Sequence, residues 1–498
     1  MRSSAAVFVA ICVVLGACTL NPSVPSTPTP TPAISGGMLR VAVASEVASL
    51  DPSNDAASLV ATRQVFETLV GVDPATSRIT PALASSWRMT NDGLSWTFTL
   101  RDGVRFHDGT ALDAAAVVAS FDRGRTTRAF QSVFGDPSAI QSIQAVDWRT
   151  VRFDLRAPFG PFLAHLAAPQ TAIARVGDVG TGPFAAPAGA LALDGTLTLR
   201  RNDAYWDHDA AGKQLPYLDG LVVRPVRDAP SRLAELRAGR VDVALDLPIA
   251  QASTARSDPS LLVSPRKDAA LASVGINIAA APFDRPEARR AVAMAVNRNA
   301  LSAVYGGTSR PATQAVPPGS LGYDDSVVEF APLDVDAARK ALADAHISTP
   351  ISGDLAYPNA PTAAYPDPVR VAQSIAADLG KVGIVSRLRS VEAAALRDSG
   401  AAFTLDTTML GLDPDDVFWP LYGQDDPSGT SLIVGLVRKA RAESDPTKRA
   451  ELYKQVSKIA RTDALRVPLL FADKPSATTA RLAGYGGIEY FGTVWLRP

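Results

Sequence analysis

The feature that most constrains the fold of this chain is a strand–helix–strand unit within residues 180–248. An apolar, β-branched run at 221–226 predicts a strand, and Asp228 is placed to cap the helix that follows it. Gly239 is placed to end that helix, and a second short strand is predicted at 241–244. A helix between two such strands is typical of an α/β fold.

Length and composition indicate a globular protein of several domains. A chain of 498 residues exceeds what one hydrophobic core usually organises, so two or three domains are expected. Lysine and arginine number 49 against 50 aspartates and glutamates, which gives a net charge of −1. This balance gives no electrostatic case for nucleic acid or an acidic membrane surface as a partner.

The first 17 residues are predicted to be a signal peptide. Arg2 precedes an apolar run at 5–15, which is too short to span a bilayer as a stable helix. The sequence Leu-Gly-Ala followed by Cys18 resembles a bacterial lipoprotein signal, and this resemblance implies a lipid on Cys18. An ordinary secretory signal followed by a chance cysteine is the alternative.

Cysteine usage supports the lipoprotein interpretation. Cys12 would leave with the signal peptide, so Cys18 would be the only cysteine of the mature chain. Residues 18–37 consist of the predicted lipidated cysteine and a stretch rich in proline, serine and threonine. This stretch is predicted to tether the folded protein to the lipid anchor.

Further segments predict regular elements. Strands are expected at 38–43, 96–100, 275–278, 382–385 and 467–471. Amphipathic spacing and capping residues predict helices at 58–70, 113–123, 286–305, 334–345, 369–379 and 446–462.

Several motifs resemble, in the same order, those of the family 5 extracellular solute-binding proteins, the dipeptide, oligopeptide and nickel receptors of ABC importers. The motifs are SEVASLDPSN at 45–54, the long run ITPALASSWRMTNDGLSWTFTLRDGVRFHDGTALDAAAVVASFDR at 79–123, the GTGPF, RRND-x-YWD and LPYLDGL words of the 180–248 stretch, ARRAVAMAVNRNALSAVYGG at 288–307, and DPTKRAELYKQVSKIARTDALRVPLLF at 445–471. The resemblance covers nearly the whole chain after residue 37.

The resemblance implies an α/β, two-lobed periplasmic-binding-protein fold (type II, cluster C-like) with an extra inserted domain in the first lobe. Lobe I is expected to comprise 38–72, 180–268 and 472–498, with the inserted subdomain at 73–179 and lobe II at 269–471. A chain that crosses twice between two lobes has a hinge, and closure over a ligand can report the loaded state to a permease.

The resemblance also implies which residues line the ligand pocket, although turn formation and helix capping explain several of them equally well. The expected ligand-binding residues are Asn54, Asp55, Ala57, Ser58, Gln170, Thr408, Met409, Leu410, Leu412, Asp413 and Trp419.

Two pocket positions depart from the relatives. Gln170 is neutral where nickel receptors carry an arginine that holds a carboxylate, and Leu410 stands where peptide receptors carry an aspartate that pairs with the peptide's α-ammonium. A buried ammonium without a counter-charge costs several kcal/mol. Unless Asp413, Glu46 or Asp55 takes the place of that aspartate, the chain is poorly suited to peptides with a free amino terminus.

The sequence offers little support for an enzyme or for a metal site. It lacks G-x-S-x-G and P-loop motifs, and its four histidines have no ligand spacing. The carboxylates at Asp413, Asp415 and Asp416 lack the spacing of a calcium loop and are better explained as helix-capping residues. His107 is expected to be a structural hydrogen-bonding residue, and no cofactor is expected.

These features predict a non-enzymatic, monomeric lipoprotein outside the cytoplasm, anchored by Cys18 to the outer face of the cell membrane. It would capture a peptide or peptide-like solute by hinge closure and deliver it to ABC permease subunits, with no nucleic-acid partner. The alternative is an envelope lipoprotein of the same fold that binds a larger amphiphilic ligand or glycolipid, or regulates envelope biosynthesis.

Overall fold

The computed structural model describes residues 33–54, 58–73, 78–135, 139–423, 431–487 and 489–497. The predicted signal peptide, Cys18, most of the tether, Asp55 and Ala57 lie outside these ranges. Of the helices in the described part of the chain, none has both the length and the apolar character needed to cross a membrane.

Twenty-one strands are described within these ranges. They are β1 (Met38–Val43), β2 (Val70–Val72), β3 (Ile79–Pro81), β4 (Ala84–Met89), β5 (Ser95–Leu100), β6 (Ile140–Ala145), β7 (Thr150–Leu155), β8 (Phe184–Ala185), β9 (Leu197–Arg201), β10 (Gly220–Pro225), β11 (Val243–Ala244), β12 (Leu261–Val263), β13 (Arg266–Ile276), β14 (Ser309–Pro311), β15 (Ile351–Pro358), β16 (Ile384–Val391), β17 (Phe403–Met409), β18 (Arg466–Lys474), β19 (Ala477–Thr479), β20 (Leu482–Ala483) and β21 (Trp495–Leu496).

Thirteen α-helices are described within the same ranges. They are α1 (Leu59–Val65), α2 (Ala114–Gly124), α3 (Arg128–Phe134), α4 (Phe162–His165), α5 (Ala229–Arg237), α6 (Ile249–Arg256), α7 (Pro286–Ala295), α8 (Arg298–Val304), α9 (Val335–Asp344), α10 (Pro368–Gly380), α11 (Asp415–Phe418), α12 (Ser431–Ala442) and α13 (Pro446–Thr462). Short 3₁₀ turns span Pro169–Thr171, Ala393–Ala395 and Arg397–Ser399, and a π-helical turn spans Trp419–Gly423.

The predicted strand–helix–strand unit builds the centre of a seven-stranded sheet. The strand order is β12-β19-β11-β1-β10-β9-β8, and β1 pairs in parallel with both β10 and β11. The Asp228 side chain accepts from the Ser231 N–H at 2.9 Å and so caps α5, and Gly239 follows that helix with a φ of +64°. The predicted caps are therefore confirmed, since a left-handed residue at this position favours glycine.

Two further sheets organise the rest of the chain. A six-stranded sheet has the order β14-β18-β13-β17-β15-β16, and a four-stranded antiparallel sheet has the order β4-β5-β7-β6. The four-stranded sheet packs against α2 and α3 through an aromatic cluster in which Phe98, Phe121 and Phe153 meet edge to face. Such contacts add to the apolar burial that holds the subdomain together.

Two connections join the seven-stranded and six-stranded sheets, and they run side by side. The chain leaves β12 for β13 through Ser264 and Pro265, and it returns from β18 to β19 through Pro475 and Ser476. The Ser264 N–H donates to the Ser476 carbonyl at 2.9 Å, and the Ser476 hydroxyl donates back to the Ser264 carbonyl. A paired two-strand connection of this kind can bend as a hinge while keeping its register.

Two predicted helices differ from the structure. Residues 286–305 form two helices, α7 and α8, because Asn297 starts a new helix by accepting from the Ala300 N–H at 2.9 Å. The Asn297 N–H donates to Asp378 Oδ2 at 2.9 Å, which holds this break in place. Helix α1 ends at Val65 because Phe66 is extended, five residues before the predicted end.

A partly buried glutamate ties the start of the chain to the unit that the sequence singles out. Glu67 accepts from the Thr181 hydroxyl at 2.7 Å, from the Tyr205 hydroxyl at 2.9 Å and from the Trp206 indole at 3.1 Å. Burial raises the pKa of Glu67 from 4.5 to about 7, although the three hydrogen bonds favour the ionised carboxylate.

The raised pKa predicts a loss of stability as the pH rises. The folded protein keeps a proton on Glu67 that the unfolded chain releases, so this contribution is complete below pH 4.5 and is lost toward pH 7. The total is about 3 kcal/mol of unfolding free energy. Urea denaturation at pH 5 and 7.5 should show that the free energy of unfolding falls less between these two pH values in Glu67→Gln than in the wild type. Glu392→Gln, on the surface, is the control, and an identical decline in all three proteins would contradict this assignment.

Candidate functional site

The segment that follows β17 presents apolar side chains at the hinge end of the six-stranded sheet. Met409 pairs with Ala270 of β13, whose other neighbour is Ala472 of β18, close to the crossing. Met409 is 52% exposed and Leu412 is 43% exposed, whereas Thr408 is buried at 9%. Leu410 is partly buried against the apolar cluster around Phe418. Exposed apolar side chains at this position are suited to contact with a ligand.

Asp413 is buried and committed to a structural ion pair. Its two carboxylate oxygens accept from the Arg449 guanidinium at 2.6 and 2.5 Å, and both side chains are buried. Its Oδ1 also accepts from the Asp415 N–H at 2.8 Å, although the N-cap residue of α11 is Pro414 and not the predicted Asp413. Removing one partner of such a pair leaves an uncompensated buried charge, so Asp413 has a role in stability.

The other two carboxylates of this segment are also partnered. Asp415 Oδ2 accepts from Arg441 Nη1 at 2.5 Å, and burial raises the pKa of Asp415 to about 6 despite that partner. Asp416 Oδ1 lies 3.0 Å from Nε2 of His165. Burial opposes ionisation of Asp416, but the hydrogen bond and charge of His165 outweigh it and lower the pKa of Asp416.

These pairings bear on whether a nearby carboxylate could replace the aspartate that peptide receptors are expected to carry at the position of Leu410. Asp413 already binds Arg449, and Glu46 pairs with Arg227 on the surface. Neither is therefore available to bind an ammonium group without losing its present partner. Asp55, the third candidate, lies outside the described residues.

The other predicted residues in the described part of the chain, Asn54, Ser58 and Gln170, come from segments before β8 rather than from the six-stranded sheet. Gln170 sits in the 3₁₀ turn of Pro169–Thr171, and it lines a narrow crevice together with Pro52 and Ser53 of the loop that ends at Asn54. The Ser58 N–H donates to the Ser49 carbonyl at 3.0 Å, at the start of α1. The structure thus brings Gln170 beside the loop that leads to Asn54, and which of these residues contact a solute stays a prediction.

The two sides of the site meet in a set of contacts that we call the interlobe clasp: Phe159, Gly160 and His165 on one side, and Asp416, Trp419 and Arg441 on the other. The Gly160 N–H donates to the Arg441 carbonyl at 2.8 Å. The Arg441 guanidinium lies 4.8 Å from the Phe159 ring centroid and 4.0 Å from that of Trp419. Such cation–π contacts and the His165–Asp416 pair hold the two sides together.

Sequence reasoning missed most of this clasp. It assigned Trp419 to the ligand pocket, whereas the structure places Trp419 against Arg441. It gave no role to Arg441, Arg449 or His165. His165 and Asp416 are 251 positions apart, so no local spacing could have joined them. His107 has the predicted structural role, with Nε2 lying 2.9 Å from the Gly182 carbonyl.

Comparison with known proteins decides the family. The sequence profile of the bacterial extracellular solute-binding proteins, family 5 (middle region), matches residues 78–429. The chain belongs to this family. It is therefore related to solute-binding proteins over most of its length, as the motifs in its sequence predicted.

Curated relatives of this family 5 protein cover most of the chain. Di/tripeptide-binding protein 4 of Pseudomonas aeruginosa is 31% identical over 471 residues, which are 84% of this chain and 86% of that protein. The glutathione-binding protein GsiB of Salmonella typhimurium is 28% identical over 489 residues, covering 91% and 93% of the two chains. Heme-binding protein A of Haemophilus influenzae is 28% identical over 472 residues, covering 85% and 84%.

Solved structures show the same fold. HbpA2 from Haemophilus parasuis has a TM-score of 0.81 at 25% identity and covers 93% of this chain and 100% of its own. DppA from Helicobacter pylori, an ABC transporter-associated periplasmic binding protein in complex with the peptide STSA, has a TM-score of 0.71 at 26% identity, covering 93% and 98%. The expected two-lobed, type II periplasmic-binding-protein fold is confirmed.

Gly160 offers a direct test of the clasp. A Cβ at this position would lie 2.2 Å from the Glu443 carbonyl oxygen, so Gly160→Ala should push the two sides apart. Overpacking of this kind costs about 1–3 kcal/mol, which shifts a two-state equilibrium about 5–150-fold. Small-angle scattering of the solute-loaded proteins should therefore give a larger radius of gyration for Gly160→Ala than for the wild type.

The matched control is Gly435→Ala in α12, where the added Cβ meets no atom within 4 Å. Its radius of gyration should equal that of the wild type. An unchanged radius in Gly160→Ala, with normal circular dichroism, would show that the clasp does not hold the lobes together.

Proposed function

We propose that this protein is the substrate-binding lipoprotein of an ABC-type importer, and that it captures a peptide or peptide-like solute between its lobes. In this proposal lobe I comprises 38–72, 180–268 and 472–498, carries the inserted subdomain 73–179, and faces lobe II at 269–471. The observation that carries the proposal is the pair of adjacent strand crossings, with predicted ligand-binding segments on both sides of the clasp.

Closure supplies the signal that a permease can read. A ligand shifts an open–closed equilibrium only by as much as it prefers the closed state. The clasp contacts join the inserted subdomain to Asp416 and to Arg441 of α12, so they exist only while the two sides are together. Ligand contacts to Asn54, Ser58 and Gln170 on one side and to Met409 and Leu412 on the other would add to them.

The paired carboxylates narrow the class of solute. Relatives are named for di- and tripeptides and for glutathione, which makes a peptide-like cargo the best supported choice. Leu410 offers no charge, and Asp413, Asp415 and Asp416 already hold Arg449, Arg441 and His165. We therefore propose a solute whose amino terminus is blocked or absent from the pocket.

The cellular context follows from the same proposal. The mature protein would stand outside the cytoplasm as a monomer, tethered by residues 18–37 and anchored by a lipid on Cys18, with permease subunits as its protein partners. The relatives are solute-binding proteins, which favours an importer over the alternative role in envelope biosynthesis. No catalytic role is proposed.

The amine hypothesis is tested with a matched pair of tripeptides, one with a free amino terminus and one acetylated. The acetylated peptide should bind at least tenfold more tightly by calorimetric titration, because a buried, unpaired ammonium costs several kcal/mol. Leu410→Asp should reverse the preference by restoring a carboxylate. Tighter binding of the free peptide to the wild type would contradict the proposed solute class.

The lipid anchor is tested by Cys18→Ala in the full precursor. The variant should lose lipid labelling and move from the membrane fraction to the soluble extracytoplasmic fraction. The reason is that Cys18 would be the only cysteine of the mature chain that can accept a lipid. Cys12→Ala, inside the signal peptide, is the control and should remain with the membrane. Membrane retention of Cys18→Ala equal to that of the wild type would exclude the anchor.

A further inference from the structure

A second cavity lies within the half of the molecule that holds the six-stranded sheet. It has a volume of about 380 Å³ and opens between α13 and the segment 313–330. Its apolar walls include Phe330, Phe418 and Tyr422. A volume of this size is at the lower end of the range that small-molecule sites occupy.

The lining of this cavity includes none of the predicted ligand-binding residues. Its lining includes Arg466 and Pro468 of β18, and Arg466 pairs with Gly275 of β13. Met409, at the solute site, pairs with Ala270 of the same strand. Five residues along β13 separate these pairs, which is about 17 Å.

One wall of the cavity is strongly basic. Lys454, Lys458 and Arg461 line it from one face of α13, where their spacings of four and three residues place them in a row. Lys458 and Arg461 are exposed at the rim.

Two acids share this lining, and they leave an excess of positive charge. Glu451 pairs with Lys454 at 2.9 Å. Asp324 faces the row from the opposite segment: its pKa is lowered first by the Ser326 hydroxyl and further by Lys454 and Arg461. Arg466, the fourth cation of the lining, is paired with Asp406, so the excess is carried by Lys458 and Arg461 at the rim.

We infer that this cavity is a second ligand site, which takes a small organic anion with one apolar or aromatic part. The aromatic and aliphatic walls bind the apolar part, which is driven by removal of apolar surface from water. The basic row on α13 binds the anionic group, and the polar rim leaves that group accessible to solvent.

The test uses two probes that share a ring system and differ in charge: 1-anilinonaphthalene-8-sulfonate and the neutral N-phenyl-1-naphthylamine. Their fluorescence is titrated with the mature chain and with the double variant Lys458→Glu/Arg461→Glu. The sulfonate should bind the variant at least tenfold more weakly, because two attractive charges become repulsive. The neutral probe should bind both proteins alike.

A matched control and a blocking variant complete the experiment. Arg438→Glu/Lys439→Glu makes the same charge change on α12, outside the cavity lining, and should leave both probes unaffected. Ala315→Trp, which fills the cavity, should abolish binding of both probes there. If Ala315→Trp does not fold, comparing sulfonate binding to Lys458→Glu/Arg461→Glu and to Arg438→Glu/Lys439→Glu still tests the proposed site. Absent sulfonate binding, or an affinity unchanged by Lys458→Glu/Arg461→Glu, would overturn the proposed site.

Discussion

The double crossing between the two large sheets is the constraint on which the rest of the structure depends. Ser264 and Ser476 hydrogen-bond across it, and β13 and β18 continue this pairing into the six-stranded sheet. Two paired strands keep the lobes in register and limit their relative motion to bending. Bending at this crossing is the motion that would separate the two sides of the clasp, as the proposed function requires.

The chemistry of the site is decided by charges that the protein satisfies internally. Arg449 and Arg441 form ion pairs with Asp413 and Asp415, and His165 lies within hydrogen-bond distance of Asp416; burial of both side chains makes the Asp413–Arg449 pair costly to break. Under the proposed function, a site arranged in this way would select against a ligand that brings an unpaired ammonium. The side chains of Met409 and Leu412 are exposed, so under the proposed function shape and apolar surface would set the specificity.

Local chemistry made much of the fold predictable, whereas the site depended on distant contacts. The caps Asp228 and Gly239 and the helix at 446–462 follow from neighbouring residues, and the structure confirms them. The break at Asn297 was missed because Asp378, which holds it, is far away in sequence. The partners of Asp413, Asp415 and Asp416 are 36, 26 and 251 positions away, so the sequence showed the carboxylates but not what neutralises them.

The central claim is that the lobes close over a solute, and a distance measurement across the clasp tests it most directly. Spin labels are attached at Asn91→Cys and Ala442→Cys in a chain without Cys18. Both positions are exposed, and they lie close in sequence to Gly93 and Ser444, which approach each other in the structure. Protein stripped by denaturation and refolding should show a longer distance that shortens when the co-purified solute is returned. One short, unchanged distance in both samples would contradict closure.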